Sequence, residues 1–258
     1  MYYFSDLDRT IIYSKKFIKN DCNEISVEKY NGEDISYMTK KSIDILSNIN
    51  KEKVFIPTTT RSIEQYKRIE FQKNNINFEW AIVCNGGCIL HNNERVKEWD
   101  IIINERLKEC GSFEVIRSNF KEYEDIKGIK KVSEVYKMFF YIIVENDIFN
   151  KELLKNYVEY LKKENWCIYY SGRKIYFIPN VIKKEEAIKY LVEKLDIKSF
   201  TALGDSIMDK GMLEIANNSI IPKDSFLKED EINNKSYIPS TSGLVGVEEI
   251  LNNILRDI

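Results

Sequence analysis

The chain has 258 residues, 43% of them hydrophobic and 31% charged, and 39 basic residues against 41 acidic ones leave a net charge of −2. That balance excludes the basic surface of a nucleic-acid binder and the composition of a disordered chain. No apolar run approaches the roughly 18 residues of a membrane span and no basic-then-apolar leader opens the chain, so the expectation is a cytoplasmic protein with no membrane or nucleic-acid partner.

In chain order, "MYYFS" is a short apolar strand that breaks into "DLDRT", which places Asp6 and Asp8 two residues apart. If the strand stops at Ser5 and a turn follows, both carboxylates can converge on one cation. "ISYMTKKSIDILSNI" carries Ile43, Ile45, Leu46 and Ile49 at close to helical spacing, and "KVFIPT" reads as the next strand, running into Thr58, Thr59, Thr60 and Arg61. "EQYKRIEFQKN" predicts a second helix and "EWAIVCN" a third strand, ending at Asn85, Gly86 and Gly87. Strand and helix alternate here as in a parallel sheet with crossover helices, whose sites lie beyond the C-terminal strand ends.

After Gly87 the alternation stops. Residues 88–180 hold hairpin-like strands, notably "VYKMFFYIIVE" with Lys137 and "WCIYYSGRKIYFIPN" with Arg173, and one helix, "NKELLKNYVEYLKKEN". This is the pattern of an inserted unit. At "KKEEAIKYLVEKLDI" a helix returns, followed by the strand "SFTALGDS", the helix "DKGMLEIAN", a strand near "SIIP" and a last helix, "GVEEILNNIL".

The five cysteines, Cys22, Cys84, Cys88, Cys110 and Cys167, are odd in number and mostly isolated, which points to small apolar side chains rather than disulfides. With a single histidine, His91, the Cys84 and Cys88 pair lacks partners for a structural zinc site.

Three polar groups fall where strands end: Asp6 with Asp8, the run from Thr58 to Arg61, and Asp205 with Asp209 in "ALGDSIMD". A lysine pair, Lys183 and Lys184, starts the helix before the last of these strands. Brought into one crevice, they supply a carboxylate nucleophile, a second carboxyl group to carry a proton, oxygen ligands for a hard divalent cation, and donors around a phosphate.

"DLDRT", "PTTTRS", "PNVIKKEEA" and "GDSIMD", in this order and spacing, resemble the four motifs of the haloacid dehalogenase (HAD) superfamily of phosphohydrolases, and "VCNGG" with "GDSIMDKGML" resembles its Cof, sucrose-phosphatase and phosphomannomutase-like branch. The resemblance implies an α/β fold: a doubly wound, Rossmann-like core of residues 1–87 and 181–258 interrupted by a C2-type α+β cap over 88–180. It implies a Mg2+-dependent phosphomonoesterase acting on a small phosphorylated metabolite, such as a sugar phosphate, through an aspartyl-phosphate. Asp6 takes the place of the nucleophile and Asp8 that of the acid and base. Lys183, preferred over Lys184 by motif alignment, neutralises Asp6, and Asp6, the Asp8 carbonyl and Asp205 hold the metal with Asp209 behind them. Thr59, Thr60 and Arg61 stand at the phosphate, and Asn85, Gly86, Lys137 and Arg173 are candidates for reading the leaving group. Three positions depart from the family pattern: Arg9 and Thr60 stand where Gly is usual, and Met208 where Asn commonly precedes the last Asp. A phosphosugar mutase shares every core motif, and a non-catalytic phosphometabolite-binding regulator is the alternative outside enzymes, although retention of both Asp6 and Asp8 speaks against it. The sequence sets no oligomeric state.

Overall fold

The computed structural model describes residues 1–18, 23–227, 232 and 236–256. Among them the chain forms two compact units, residues 1–96 with 184–258, and residues 97–183.

The first unit begins with strand β1 (Tyr2–Ser5), a hairpin of β2 (Glu24–Tyr30) and β3 (Glu33–Thr39), helix α1 (Lys40–Glu52) and strand β4 (Val54–Pro57). Helix α1 starts where Thr39 caps the Ser42 amide at 3.0 Å, and its buried stripe is Ser42, Ile43, Ile45, Leu46 and Ile49. The expected helix over 35–49 therefore begins five residues late, because residues 33–39 pair with β2 instead. A signal for that hairpin is in the sequence: Asn31 and Gly32 both take positive φ, 51° and 84°, the pair of left-handed residues that a two-residue turn demands.

Helix α2 (Ile63–Lys67) is much shorter than the pattern suggests. It is followed by β5 (Trp80–Val83), β6 (Cys88–His91) and β7 (Glu94–Arg95), an antiparallel sheet in the order β5-β6-β7. Where the sequence sets the first crossing at residue 87, the pairing of β6 and β7 with β5 keeps residues 88–96 in the first unit.

The second unit comprises α3 (Lys97–Leu107), α4 (Phe113–Phe120), β8 (Ile129–Val135), β9 (Phe139–Val144), α5 (Lys155–Lys163), β10 (Trp166–Ser171) and β11 (Lys174–Pro179). Its four strands form an antiparallel sheet in the order β10-β11-β9-β8. The core is aromatic. Phe140 stacks on Phe177 at 4.6 Å between centroids, Phe120 and Tyr157 close over them, and the Tyr157 hydroxyl donates to the Ile116 carbonyl at 2.7 Å.

The chain then returns to the first unit with α6 (Lys184–Lys194), β12 (Phe200–Leu203), α7 (Lys210–Glu214), β13 (Asn218–Ile220), β14 (Ser236–Tyr237) and α8 (Gly243–Arg256). The main sheet is parallel throughout, in the order β14-β13-β12-β1-β4, with α1 packed on α8 and α6 on α7. In its register Ser5 lies opposite Leu203 on one side and Pro57 on the other. The residues that follow, Asp6, Thr58 and Gly204, thus leave three adjacent strands in one row, where the order turns back across β1.

Cys84 and Cys88 are buried free thiols, Cys110 and Cys167 are half-buried free thiols, and Cys22 lies outside the described residues. No helix among the described residues is long and apolar enough to cross a membrane.

Candidate active site

Past Ser5 the Asp6 amide extends the ladder by donating to the Leu203 carbonyl at 2.9 Å. The chain then turns tightly, with the Leu7 carbonyl accepting from the amides of Thr10, Ile11 and Ile12. This turn separates the two carboxylates that the sequence lets converge. Asp6 is buried, and its acid oxygens lie with those of buried Asp205 and Asp209, the ligand atoms within 4.8 Å of one another. Asp8 is exposed, and its carboxylate is gripped from outside the cluster by Arg61, whose Nε and Nη2 each donate at 2.8 Å.

Lys184, 1% exposed, sits among the acids and donates through Nζ to Asp6 Oδ1 and Asp209 Oδ1, both at 2.6 Å. Motif alignment selects its neighbour Lys183, and this is corrected: Lys183 precedes the helix and is half-buried, while Lys184 is the first residue of α6. The signal was helical spacing, since Lys184, Ala187, Ile188 and Leu191 form the buried stripe of α6.

Both Asp209 oxygens are engaged inside the protein. Its Oδ2 receives the Asp205 and Ser206 amides at 3.1 and 2.9 Å and the Ser206 hydroxyl at 2.8 Å, while Oδ1 takes Lys184. Gly204 is required by this closeness. A Cβ there would lie 2.4 Å from the Asp209 Cβ. Met208 is buried beside this turn.

The buried charges do not balance. Three carboxylates face Lys184 and, at Asp205, Arg9, whose Nε is 3.4 Å from Asp205 Oδ2. Burial raises the pKa of Asp6 to about 7; Lys184 opposes this, while the Asp209 and Asp8 charges add to it. Asp205 is raised to about 9 by burial and then by Asp6 and Asp209, against Arg9 and Lys184. Burial disfavours the Lys184 ammonium, yet Asp209 and Asp6 more than offset it and hold it charged. A compact set of hard oxygen donors in excess over its cations fits a divalent metal of the magnesium type.

Thr59 is buried, its hydroxyl accepts the Arg61 amide at 3.2 Å, and its amide donates to the Ile82 carbonyl at 2.9 Å. Thr60 is half-buried and has no positive φ, so the backbone does not need the glycine usual at this place. Arg9 is the opposite case, with φ at 64°.

Beyond Asp8, Arg61 Nη1 donates to Glu28 Oε1 at 2.9 Å and to the Gln65 carbonyl at 3.2 Å. Glu28, on β2, is fully buried and also receives Arg68 Nη2 at 2.7 Å and the Ser36 hydroxyl at 2.5 Å. Sequence reading missed Glu28 because it took no strand there.

The turn at Asn85 and Gly86 is tied to the threonine loop, with the Asn85 amide on the Thr59 carbonyl at 2.9 Å and the Cys84 amide on the Arg61 carbonyl at 2.8 Å. Asn85 is buried, and Cys84, Asn85 and Gly86 are consecutive left-handed residues with φ of 55°, 57° and 95°.

Lys137 and Arg173 are not brought together. Lys137 lies in the turn between β8 and β9, not on a strand, and is exposed with φ at 55°. Arg173 lies in the turn between β10 and β11, at the opposite end of the sheet, because Lys174 pairs with Ile143 near the end of β9 and Phe177 with Phe140 near its start. The sequence puts the Arg173 turn near the return to the first unit. In the structure the whole of β11 intervenes, and it is the Lys137 end from which the chain leaves.

A parallel sheet with this strand order, carrying the acid pair, the threonine loop and the lysine-linked acid cluster at adjoining strand ends, defines a HAD-like phosphatase. More narrowly, the chain belongs to the family described as sucrose-6F-phosphate phosphohydrolase, which matches residues 3–237. Among solved structures, the sucrose-phosphatase from Synechocystis, determined with sucrose and phosphate, is similar at 14% identity and a TM-score of 0.69, over 98% of this chain and 96% of that one. A trehalose-6-phosphate phosphatase related protein is similar at 17% identity and a TM-score of 0.62, over 99% and 97% of the two chains. A HAD superfamily phosphatase from Bacteroides thetaiotaomicron gives 11% identity and 0.62, over 98% and 94%. No curated protein sequence matches.

Proposed function

We propose that the protein is a Mg2+-dependent phosphomonoesterase that removes phosphate from a phosphorylated sugar by way of an aspartyl-phosphate on Asp6. The observation that carries this reading is the buried Asp6–Lys184–Asp209 chain beside Asp205, an arrangement that is costly to bury and has no use in packing. Asp6, Asp205 and the Asp8 carbonyl are the metal ligands, and Asp209, with both oxygens engaged, holds Lys184 and the Asp205 loop in place. A bound magnesium ion supplies the charge that keeps the buried carboxylates ionised and offsets the phosphoryl oxygens.

In the first step an Asp6 oxygen attacks phosphorus, the bond from phosphorus to the sugar oxygen breaks, and Asp8 gives its proton to the leaving alkoxide. In the second step water loses a proton to Asp8 and attacks phosphorus, releasing phosphate and restoring Asp6. Lys184 neutralises the attacking side, and the Thr59 hydroxyl with the Thr60 and Arg61 segment meets the phosphate. The Arg61 fork fixes the direction of Asp8, and taking up a proton costs Asp8 one of those two bonds.

The family description and the sucrose-bound neighbour support a sugar phosphate, with sucrose 6-phosphate the first compound to try. The unit of residues 97–183, with the Asn85 and Gly86 turn, serves as the cap that reads the sugar. Its two candidate cations, Lys137 and Arg173, lie at opposite ends of its sheet, so a sugar met at one end is read by one of them and not by both. The test is phosphate release from a panel of sugar phosphates, with magnesium and with excess chelator, together with the mass of acid-quenched protein. Release that depends on metal and a phosphoryl adduct on the Asp6 peptide are expected. Activity indifferent to chelator sinks the metal, and no release from any sugar phosphate sinks the substrate class.

A further inference from the structure

Arg9 combines features that ordinary surface does not explain. It holds a left-handed backbone, φ 64°, which a long side chain rarely adopts. Its guanidinium lies over the Phe226 ring at 4.0 Å and the Phe17 ring at 4.7 Å, and its Nη2 donates to the Asp224 carbonyl. The same loop is fastened to Asp205, whose carbonyl accepts the Phe226 amide at 2.9 Å and the Ser225 hydroxyl at 2.7 Å, while the Asp224 carboxylate takes the Tyr13 hydroxyl at 3.0 Å. Arg9 is thus built in from both sides. Its Nε, buried and without a hydrogen-bond partner, faces Asp205 Oδ2 at 3.4 Å, a contact of charge rather than of aligned donor and acceptor.

We propose that Arg9 is a resident counter-cation of the Asp6, Asp205 and Asp209 cluster, fixed against Asp205 by Phe17, Phe226 and Asp224, so that it stays when a divalent cation binds and weakens that cation's hold. The proposal rests on the metal-dependent reading above. Two positive centres on one carboxylate repel, and in a site this buried the repulsion is poorly screened. The fixed guanidinium lets the cluster stay folded without metal and sets a higher magnesium concentration for occupancy.

The test measures magnesium binding without substrate, by calorimetry and by the magnesium dependence of the melting temperature. Arg9→Asn removes the charge and keeps a residue that tolerates positive φ. It is expected to tighten magnesium binding ~10-fold or more while lowering the melting temperature of the metal-free protein. Arg9→Lys, which keeps the charge, stays within ~3-fold of the parent, and Phe226→Ala, which frees the guanidinium, tightens binding ~3-fold. If Arg9→Asn does not fold without metal, Phe226→Ala decides. Unchanged or weaker binding in Arg9→Asn, or in Phe226→Ala where that decides, overturns the role of Arg9 and leaves the metal-dependent reading standing. A parent protein that binds no divalent cation overturns both.

Discussion

The two units bury different things. Residues 1–96 and 184–258 enclose Asp6, Glu28, Lys184, Asp205 and Asp209, whereas among the described residues of 97–183 no buried side chain is charged or otherwise polar outside the aromatic tyrosines and tryptophans. There the core is stacked rings, and the charged side chain that comes nearest to it, half-buried Arg117 over Phe140, is paired with Glu124 and Glu134. A unit with an apolar, aromatic core can change much of its exposed surface at little cost. One that buries unbalanced charge is committed to a ligand that balances it.

The sharpest way to break this contrast is Asp6→Asn, which keeps the shape of the side chain and removes its nucleophilicity. Phosphate release is expected to fall at least ~10,000-fold with the circular dichroism spectrum unchanged. Lys184→Met comes next: it leaves two buried carboxylates without their cation and is expected to cost ~3–5 kcal/mol in denaturant unfolding, together with activity. Lys183→Met, at a half-buried position outside the helix, is expected to change stability by less than ~0.5 kcal/mol. In the aromatic unit Phe177→Ala is expected to cost a similar ~3–5 kcal/mol, read by hydrogen exchange as opening of β9 and β11 with protection of β1, β4 and β12 retained. Equal loss in both sheets would show that the units do not unfold separately.

Lys137→Ala is expected to lower kcat/KM for the preferred sugar phosphate ~10-fold, about 1.4 kcal/mol, and to leave an aryl phosphate unaffected. Equal loss on both substrates would remove Lys137 from leaving-group recognition. A last effect is the pH response of the metal-free protein. Asp6 and Asp205 have folded pKa values raised from the ordinary 3.8 to about 7 and about 9, so the folded state binds their protons more tightly than the unfolded chain does. Their contribution is complete below 3.8 and is lost as pH rises through 7 toward 9. Between pH 6 and 9 the melting temperature is expected to fall by at least ~2–4 °C, the equivalent of about 1 kcal/mol, and saturating magnesium to reduce that fall. A flat profile without metal would mean that the buried acids are balanced already.

What the sequence made legible was the strand ends. The alternation around Asp6, Thr59 and Asp205 is local, and each acid or threonine follows an apolar run whose end can be read directly. What it hid were side-chain meetings across elements. Glu28 reaches Arg61 only because residues 24–39 fold as a hairpin, and the periodicity of α1 drew the helix across the second strand of it. The lysine was misassigned by one residue because alignment looked at order, whereas burial follows the turn of α6. Lys137 and Arg173 look interchangeable in sequence, and only the β9–β11 register shows that a sheet length separates them.

Glu28 has a consequence for how this chain can change over generations. Its carboxylate is the shared anchor of Arg61 and Arg68, and it is fully buried, with the Ser36 hydroxyl as a further donor. Replacing the acid alone takes from both arginines their shared buried partner, although Arg61 keeps Asp8, and replacing either arginine alone removes half of the acid's compensation. Single-step change is therefore costliest at Glu28, the fully buried member of the three. The hairpin and the threonine loop are thus one electrostatic unit, in which an acid on β2 steadies the arginine that grips Asp8.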